Sequence, residues 1–253
     1  MSGPWAATGV TLPSSLPPCV LALTEEKRVA VHACASFAQS SHPWPVPCLF
    51  CIVLIAFATL CMQDYLIPAW HAEAWPTVRT RALFFDMGAS LYHTGNGGAS
   101  MSWFVNQYRA RGISFDRIFA WEAKQYTDAT IYATMPPSIV DRISYYNVPA
   151  NTTPGTKHNP WRTLRAVATP KDFVVVKIDI DNTPVEEALL EQLLADSALS
   201  SLVDEFYFEH HVLNTPMWHY GWKRDTVTTH TLVHSYDIFS QLRVLGIRAH
   251  SWV

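Results

Sequence analysis

Residues 173–181, FVVVKIDID, decide the fold of this chain of 253 residues. The segment begins with four apolar, mostly β-branched residues, which favours a strand buried on both faces of a sheet. The TPVE that follows predicts the start of a helix, with Thr183 as the N-cap, Pro184 at the first helical position and Glu186 closing a capping box. A buried strand that leads directly into a helix is typical of an α/β sheet.

Strand-like and helix-like segments alternate throughout residues 81–253. Further strands are predicted over residues 83–86, 117–121, 143–148, 205–211 and 247–253. Helices are predicted from Ser100, over 126–133 and from Ser235, the last with Ile238, Phe239, Leu242 and Leu245 facing inward. A polar loop is predicted before Phe173, around Pro154 and Pro160. Strands separated by helices imply right-handed crossovers, so we expect a doubly wound, Rossmann-like, mostly parallel sheet with helices on both faces.

The first 80 residues differ in composition from this α/β domain. Residues 1–45 are rich in Pro, Ala and Ser without a period, and we interpret them as a disordered or targeting segment. All five cysteines lie before residue 63, so the α/β domain gives no disulfide signal. The net charge of −3 gives no electrostatic support for a nucleic-acid partner.

An uncharged apolar run, residues 48–62, lies inside the segment 46–67. As a helix the run rises about 22 Å, and its flanks bring it close to the roughly 30 Å of a hydrocarbon core. We interpret 46–67 as a signal anchor, a hydrophobic helix that associates with the membrane, and 68–80 as a linker. The chain would then be a single-pass membrane protein whose domain faces either the lumen or the cytosol. The alternatives are a cleaved signal peptide and a buried helix.

Polar side chains follow the predicted strands at their carboxyl ends. They are Asp86, Glu122, Asn147, Asp179 with Asp181, and Glu209 with His210 and His211. These ends share one edge of a parallel sheet, where α/β proteins bind ligands. The turn DMGAS that starts at Asp86 contains Gly, Ala and Ser, which have small or no side chains. Such residues are expected where a ligand approaches the backbone closely. Glu122, at the end of the second strand, is well placed to accept hydrogen bonds from a ribose diol.

The order of these features resembles the class I S-adenosylmethionine-dependent methyltransferases, in particular their FkbM-type branch. The resemblance is carried by DMGA from Asp86, by Glu122, and by KIDID from Lys177 with Glu186. It implies S-adenosylmethionine as the cofactor, with Glu122 on the ribose and Asn147 near the adenine. It also implies that the methionine part of the cofactor lies along the turn after the first strand. The cofactor-binding residues of this turn would be Asp86, Gly88, Ala89 and Ser90.

The resemblance further implies methyl transfer to the oxygen or nitrogen of a small-molecule or glycan acceptor, without a metal. Asp179 would face the methyl group, and His210, His211 or Asp179 would take the proton of the acceptor.

Two alternatives stay open. Asp179-Ile180-Asp181 also resembles the DxD motif of metal-dependent glycosyltransferases, which would make the chain a type II membrane enzyme. The other alternative is a non-catalytic, methyltransferase-like protein.

Overall fold

The computed structural model describes residues 81–93, 100–213 and 230–252. All of them belong to one compact unit, Ala69–Val253. Three predicted segments lie outside the described residues: 1–45, 46–67 and 68–80. None of the helices in the described ranges has the length and apolar character needed to cross a membrane.

A six-stranded sheet forms the centre of this unit, and every neighbouring pair of strands is parallel. The strands are β1 Ala82–Met87, β2 Arg117–Trp121, β3 Ile143–Tyr146, β4 Phe173–Ile178, β5 Glu205–Phe208 and β6 Arg248–Ser251. Their order across the sheet is β3-β2-β1-β4-β5-β6, so the direction of winding reverses between β1 and β4. The predicted parallel, Rossmann-like α/β architecture is therefore confirmed.

Helices connect the strands and cover both faces of the sheet. In the described residues they are α1 Ser100–Ala110, α2 Asp128–Tyr132, α3 Pro137–Val140, α4 Pro160–Val167, α5 Thr183–Ala195, α6 Ser197–Ser200 and α7 Leu232–Val244. Helix α1 packs Phe104 against Phe84 of β1, with ring centroids 4.9 Å apart. Helices α4, α5 and α7 lie on the opposite face of the sheet. There they form a hydrophobic core with Phe85, whose side chain points away from that of Phe84.

The predicted polar loop is present around Pro154 but ends at Asn159, and helix α4 begins at Pro160, where the prediction is wrong. Pro160 sits in the first turn of this helix, where a missing N–H has no intrahelical partner to lose. The side chain of Asn159 caps the helix by accepting a hydrogen bond from the N–H of Arg162. Trp161 and Leu164 are buried, so the helix forms part of the core.

The beginning of α5 also differs from the prediction. Asn182, not Thr183, is the N-cap, and its side chain accepts a hydrogen bond from the N–H of Val185. Asp181, in the left-handed region at φ 57°, turns the chain just before this cap. Glu186 does not close a capping box, because its Oε1 accepts a hydrogen bond from the N–H of Ile180 at 2.7 Å.

Helix α7 begins earlier than expected, at Leu232 rather than Ser235, because Thr231 caps it by accepting from the N–H of His234. Ile238, Phe239 and Leu242 are buried as predicted. The prediction that Leu245 faces inward is wrong, since Leu245 follows the last helical turn and is 37% exposed.

Gly88 allows the ends of β1 and β4 to approach each other. It has φ 81°, and a Cβ added there would lie 1.6 Å from the carbonyl oxygen of Asp179. The same two strand ends are joined by a hydrogen bond from the N–H of Asp179 to the carbonyl of Met87, at 3.0 Å. The close approach that the glycine permits is therefore to the protein's own backbone.

We expect Gly88→Ala to lower the free energy of unfolding by roughly 2–5 kcal/mol, from the left-handed backbone and from overpacking. Gly112→Ala is the matched control, because Gly112 has φ 80° but no atom within 4 Å of an added Cβ. The control variant should lose only about 1–2 kcal/mol. Urea unfolding measures the free energy of unfolding of both variants. Equal losses in Gly88→Ala and Gly112→Ala would show that the close contact with Asp179 does not affect stability.

Candidate functional site

A cavity of about 420 Å³ opens where the carboxyl ends of β1, β2 and β4 meet. This is the point at which the winding of the sheet reverses, and α/β proteins bind ligands at such points. The volume lies within the range of small-molecule sites, about 300–1,000 Å³. The polar side chains that line the cavity are Ser90, Glu122, Lys124, Tyr126, Asp179 and Asp181.

A buried ammonium group, that of Lys177 in β4, stands next to this cavity. Its Nζ lies 3.2 Å from Asp86 Oδ1 and 3.1 Å from Asp179 Oδ2. It also donates a hydrogen bond to the carbonyl of Gly88 at 3.1 Å. The side chains of Lys177 and Asp86 are completely buried, whereas Asp179 keeps one quarter of its side chain exposed. The three charged groups therefore join the ends of β1 and β4.

The charges of this cluster depend on one another. Burial alone would lower the pKa of Lys177, but the carboxylates of Asp179 and Asp86 outweigh it and raise that pKa. Burial would raise the pKa of Asp179, yet the charge of Lys177 and the hydrogen bonds to this carboxylate together outweigh burial and lower the pKa. Burial does raise the pKa of Asp86, although Lys177 opposes the shift. Removing the lysine would leave buried carboxylates without a counter-charge, which is strongly destabilising.

The carboxylate of Glu122 holds two loops beside the cavity. Oε2 accepts a hydrogen bond from the N–H of Ser90 at 2.7 Å, and Oε1 accepts one from the N–H of Lys124 at 2.6 Å. A carboxylate oxygen can accept more than one hydrogen bond. Glu122 can therefore brace both loops and still accept hydrogen bonds from the hydroxyl groups of a ligand.

Asn147 fixes the loop after β2 from behind. Its Oδ1 accepts from the N–H of Tyr126 at 2.7 Å, and its Nδ2 donates to the carbonyls of Glu122 and Lys124 at 2.9 and 2.6 Å. These bonds occupy both ends of the amide. Asn147 is not among the residues that line the cavity, so it supports the loop that carries Glu122.

The predicted cofactor residues thus fall into two groups. Gly88, Ser90 and Glu122 line the cavity. Asp86, Ala89 and Asn147 lie behind it, and the first two are completely buried. Of the predicted catalytic residues, Asp179 lines the cavity, whereas His210 and His211 do not.

The two adjacent histidines have different surroundings. His211 lies with its Nε2 3.0 Å from Glu209 Oε2. Burial would lower the pKa of His211, but this contact and the charges of the surrounding carboxylates together outweigh burial and raise the pKa. His210 lies beside His230 and His234. Burial and the neighbouring histidines lower the pKa of His210 to about 4. At neutral pH, His210 is therefore an uncharged imidazole.

Two groups of side chains in the described ranges have the composition and spacing to hold a metal ion. They are Asp181, Glu209 and His211, and His210, His230 and His234. In each group, one ligand atom per residue lies within 4.8 Å of the others. The first group adjoins the cavity through Asp181, and the second shares no residue with the cavity lining.

Trp252, after β6, is a site residue that the sequence analysis did not identify. Its Nε1 donates a hydrogen bond to Asp179 Oδ2 at 3.1 Å. Its ring packs against Trp103 and Phe104, with centroids 5.1 and 5.0 Å apart. The carboxylate of Asp179 is therefore held from two sides, by Lys177 and by this indole. No sequence signal marked a tryptophan at the end of the last strand as a hydrogen-bond donor.

No family model matches the chain, and searches of curated proteins and of solved structures give no significant match. The class that the fold and the site define is an α/β protein of Rossmann-like topology with an acidic cavity at the reversal of its sheet.

The variant Lys177→Met tests the buried charge cluster. We expect it to lower the free energy of unfolding by about 3–5 kcal/mol, because it leaves Asp86 and Asp179 buried without a counter-charge. Lys171→Met, at an exposed position just before β4, is the control and should change little. Adding Asp86→Asn to Lys177→Met should restore part of the loss. Equal free energies of unfolding in urea for Lys177→Met and Lys171→Met would contradict a stabilising role of the charge cluster.

A second prediction concerns pH, because burial raises the pKa of Glu186 from 4.5 to about 7. A carboxyl group whose pKa is raised by folding stabilises the fold below its unfolded pKa, and that contribution disappears as the pH rises through 7. Between pH 4.5 and 7, the wild type should lose up to about 3 kcal/mol relative to Glu186→Gln.

Glu191→Gln, at an exposed position of the same helix, is the control and should keep the pH dependence of the wild type. Urea unfolding at a series of pH values compares the three proteins. Parallel curves for the wild type and Glu186→Gln would show that Glu186 does not titrate in this range.

Proposed function

We propose that the cavity binds S-adenosylmethionine and that the protein transfers its methyl group to the oxygen or nitrogen of a small-molecule or glycan acceptor. The observation that carries the proposal is the charge of the lining. Three carboxylates, Glu122, Asp179 and Asp181, face one ammonium group, Lys124. S-adenosylmethionine carries a sulfonium and an ammonium group against one carboxylate, so its net charge is positive and an acidic cavity attracts it.

The same lining argues against ligands that contain a diphosphate. A dinucleotide or a nucleotide sugar would bring two or more negative charges among the carboxylates of Glu122, Asp179 and Asp181. The sequence after β1 also lacks the three glycines in fixed register with which dinucleotide-binding proteins hold a pyrophosphate. Among adenosine-containing cofactors, a cationic one is therefore favoured.

In this proposal the cofactor lies across the ends of β1, β2 and β4. Glu122 accepts hydrogen bonds from the ribose hydroxyl groups, and the turn at Gly88 and Ser90 runs along the methionine part. Asp86 and Ala89 act through the shape of this turn, because both are buried behind it. Asn147 acts through the loop that presents Glu122.

Methyl transfer to a hydroxyl or amine releases a proton, and the protein must align the acceptor and take that proton. Asp179 lines the cavity and hydrogen-bonds to Glu209, which in turn contacts His211 at 3.0 Å. We assign the proton to this path, with Asp179 as the hydrogen-bond contact at the cavity and His211 as the base that holds the proton at its end. His210 lies outside the path.

One observation favours a second candidate, metal-dependent glycosyl transfer. Asp181, Glu209 and His211 lie close enough together to hold a divalent cation beside the cavity. Such a cation would offset the carboxylates and admit a nucleotide-sugar diphosphate. Asp179 fits the DxD role poorly, since its Oδ2 already contacts Lys177 and Trp252. We therefore rank this function second.

Calorimetric titration of the full chain with S-adenosylmethionine, in the presence of EDTA, tests the proposal. The wild type should bind. Glu122→Gln should weaken binding about 10- to 100-fold, because the ribose loses hydrogen bonds to a charged acceptor. Glu191→Gln, which replaces an exposed carboxylate far along α5, is the matched control and should bind as the wild type does.

Other results of this titration separate the alternatives. Absence of any heat with S-adenosylmethionine would overturn the proposal and support a non-catalytic protein. Binding of a UDP-sugar that requires Mn²⁺ would support the glycosyltransferase. Equal affinities of Glu122→Gln and the wild type would show that the cofactor does not use Glu122.

A further inference from the structure

Three histidines form a cluster between the end of β5 and the beginning of α7. His210 follows β5, His230 precedes the N-cap of α7, and His234 lies in its first turn. The ring centroids are 5.0 Å apart for His210 and His230, 5.2 Å for His210 and His234, and 5.2 Å for His230 and His234. The three rings thus stand at the corners of a nearly equilateral triangle.

Three buried nitrogens of this cluster have no hydrogen-bond partner within the described residues. His210 and His230 are each 4% exposed. Neither Nδ1 nor Nε2 of His210 has a partner among the described residues, and neither does Nδ1 of His230. Leaving a buried polar group unpaired costs about 1–3 kcal/mol, and native proteins seldom do so without a reason. A ligand that binds to these nitrogens would explain why they have no partner within the described residues.

The second nitrogen of His230 is held in the way that metal-binding histidines are held. Its Nε2 lies 2.7 Å from Glu187 Oε1 of α5, so in the neutral imidazole Nε2 carries the proton and Nδ1 keeps its lone pair. A carboxylate that orients a histidine through its other ring nitrogen is the usual support of a metal ligand. The spacing of His230 and His234, with three residues between them, also occurs in zinc sites.

We propose that His210, His230 and His234 bind a zinc ion, with Glu187 as the positioning residue of His230. One ligand atom from each histidine already lies within 4.8 Å of the others. Zinc–nitrogen bonds of about 2.0–2.1 Å in a tetrahedral site hold such atoms roughly 3.4 Å apart. Side-chain rotation therefore has to draw the three nitrogens together when the ion binds.

The chemistry of the ligands and their exposure define the kind of site. Three neutral imidazoles suit zinc and other late first-row divalent ions, and not magnesium or calcium, which prefer oxygen ligands. Three protein ligands leave the fourth position of tetrahedral zinc to water or another small ligand. His234 is exposed, so this position opens toward solvent. The ion would also join β5, α5 and α7 at one point.

This site is independent of the proposed methyl transfer, since it shares no residue with the cavity. The full chain, freed of metal with a chelator, is titrated with Co²⁺ and Zn²⁺ while absorption and heat are recorded. Its five cysteines are first alkylated, because thiolates also bind these ions. We expect one bound ion per chain, a visible cobalt spectrum typical of tetrahedral coordination, and no thiolate charge-transfer band.

Matched variants decide which residues hold the ion. Glu187→Gln should weaken binding about 10- to 100-fold, as loss of a carboxylate behind a histidine ligand does. His234→Asn, at an exposed position that should not disturb folding, should weaken it more and abolish the cobalt spectrum. His93→Asn, at another exposed position, should leave both unchanged. The proposal is overturned if the alkylated wild type binds no ion, or if His234→Asn binds it as tightly as the wild type.

Discussion

The structure depends on one buried ammonium group, that of Lys177, held between two carboxylates and a carbonyl. In the register of β1 and β4, Asp86 stands directly beside Lys177. A charge in the interior of a sheet is tolerated only when opposite charges and hydrogen bonds surround it. The ends of these two strands, and the close passage of Gly88 over Asp179, are therefore fixed together.

This constraint links the fold to the site. The strands that Lys177 joins are the two between which the winding of the sheet reverses, so the charge cluster lies beside the cavity. Asp179 belongs to both: it neutralises Lys177, accepts from Trp252 and presents part of its carboxylate to the cavity. Glu122 completes the rim from β2, and Asn147, after β3, supports the loop that carries Glu122. An acidic pocket thus results from the same contacts that stabilise the sheet, and this charge is the basis of the proposal that the pocket binds a cationic ligand.

Much of this architecture could be predicted from the sequence, because the decisive signals are local. The apolar β-branched run of β4 and the strand at Arg117–Trp121 are recognisable without tertiary information. Polar residues at strand ends pointed to the edge of the sheet at which the cavity lies. Helix α4 was missed because Pro160 is ambiguous between a breaker and a first-turn residue. The partners of Lys177, the bond from Trp252 and the meeting of His210 with His230 depend on register and packing between distant segments, which no local pattern encodes.

A crystal structure of the full chain with S-adenosylmethionine tests the central claim most directly. The account requires the ribose hydroxyl groups to lie about 2.5–3.0 Å from the carboxylate oxygens of Glu122, with the methionine part along Gly88 and Ser90. The sulfonium should lie on the side of Asp179. A cofactor bound elsewhere, or one whose ribose makes no contact with Glu122, would contradict the account.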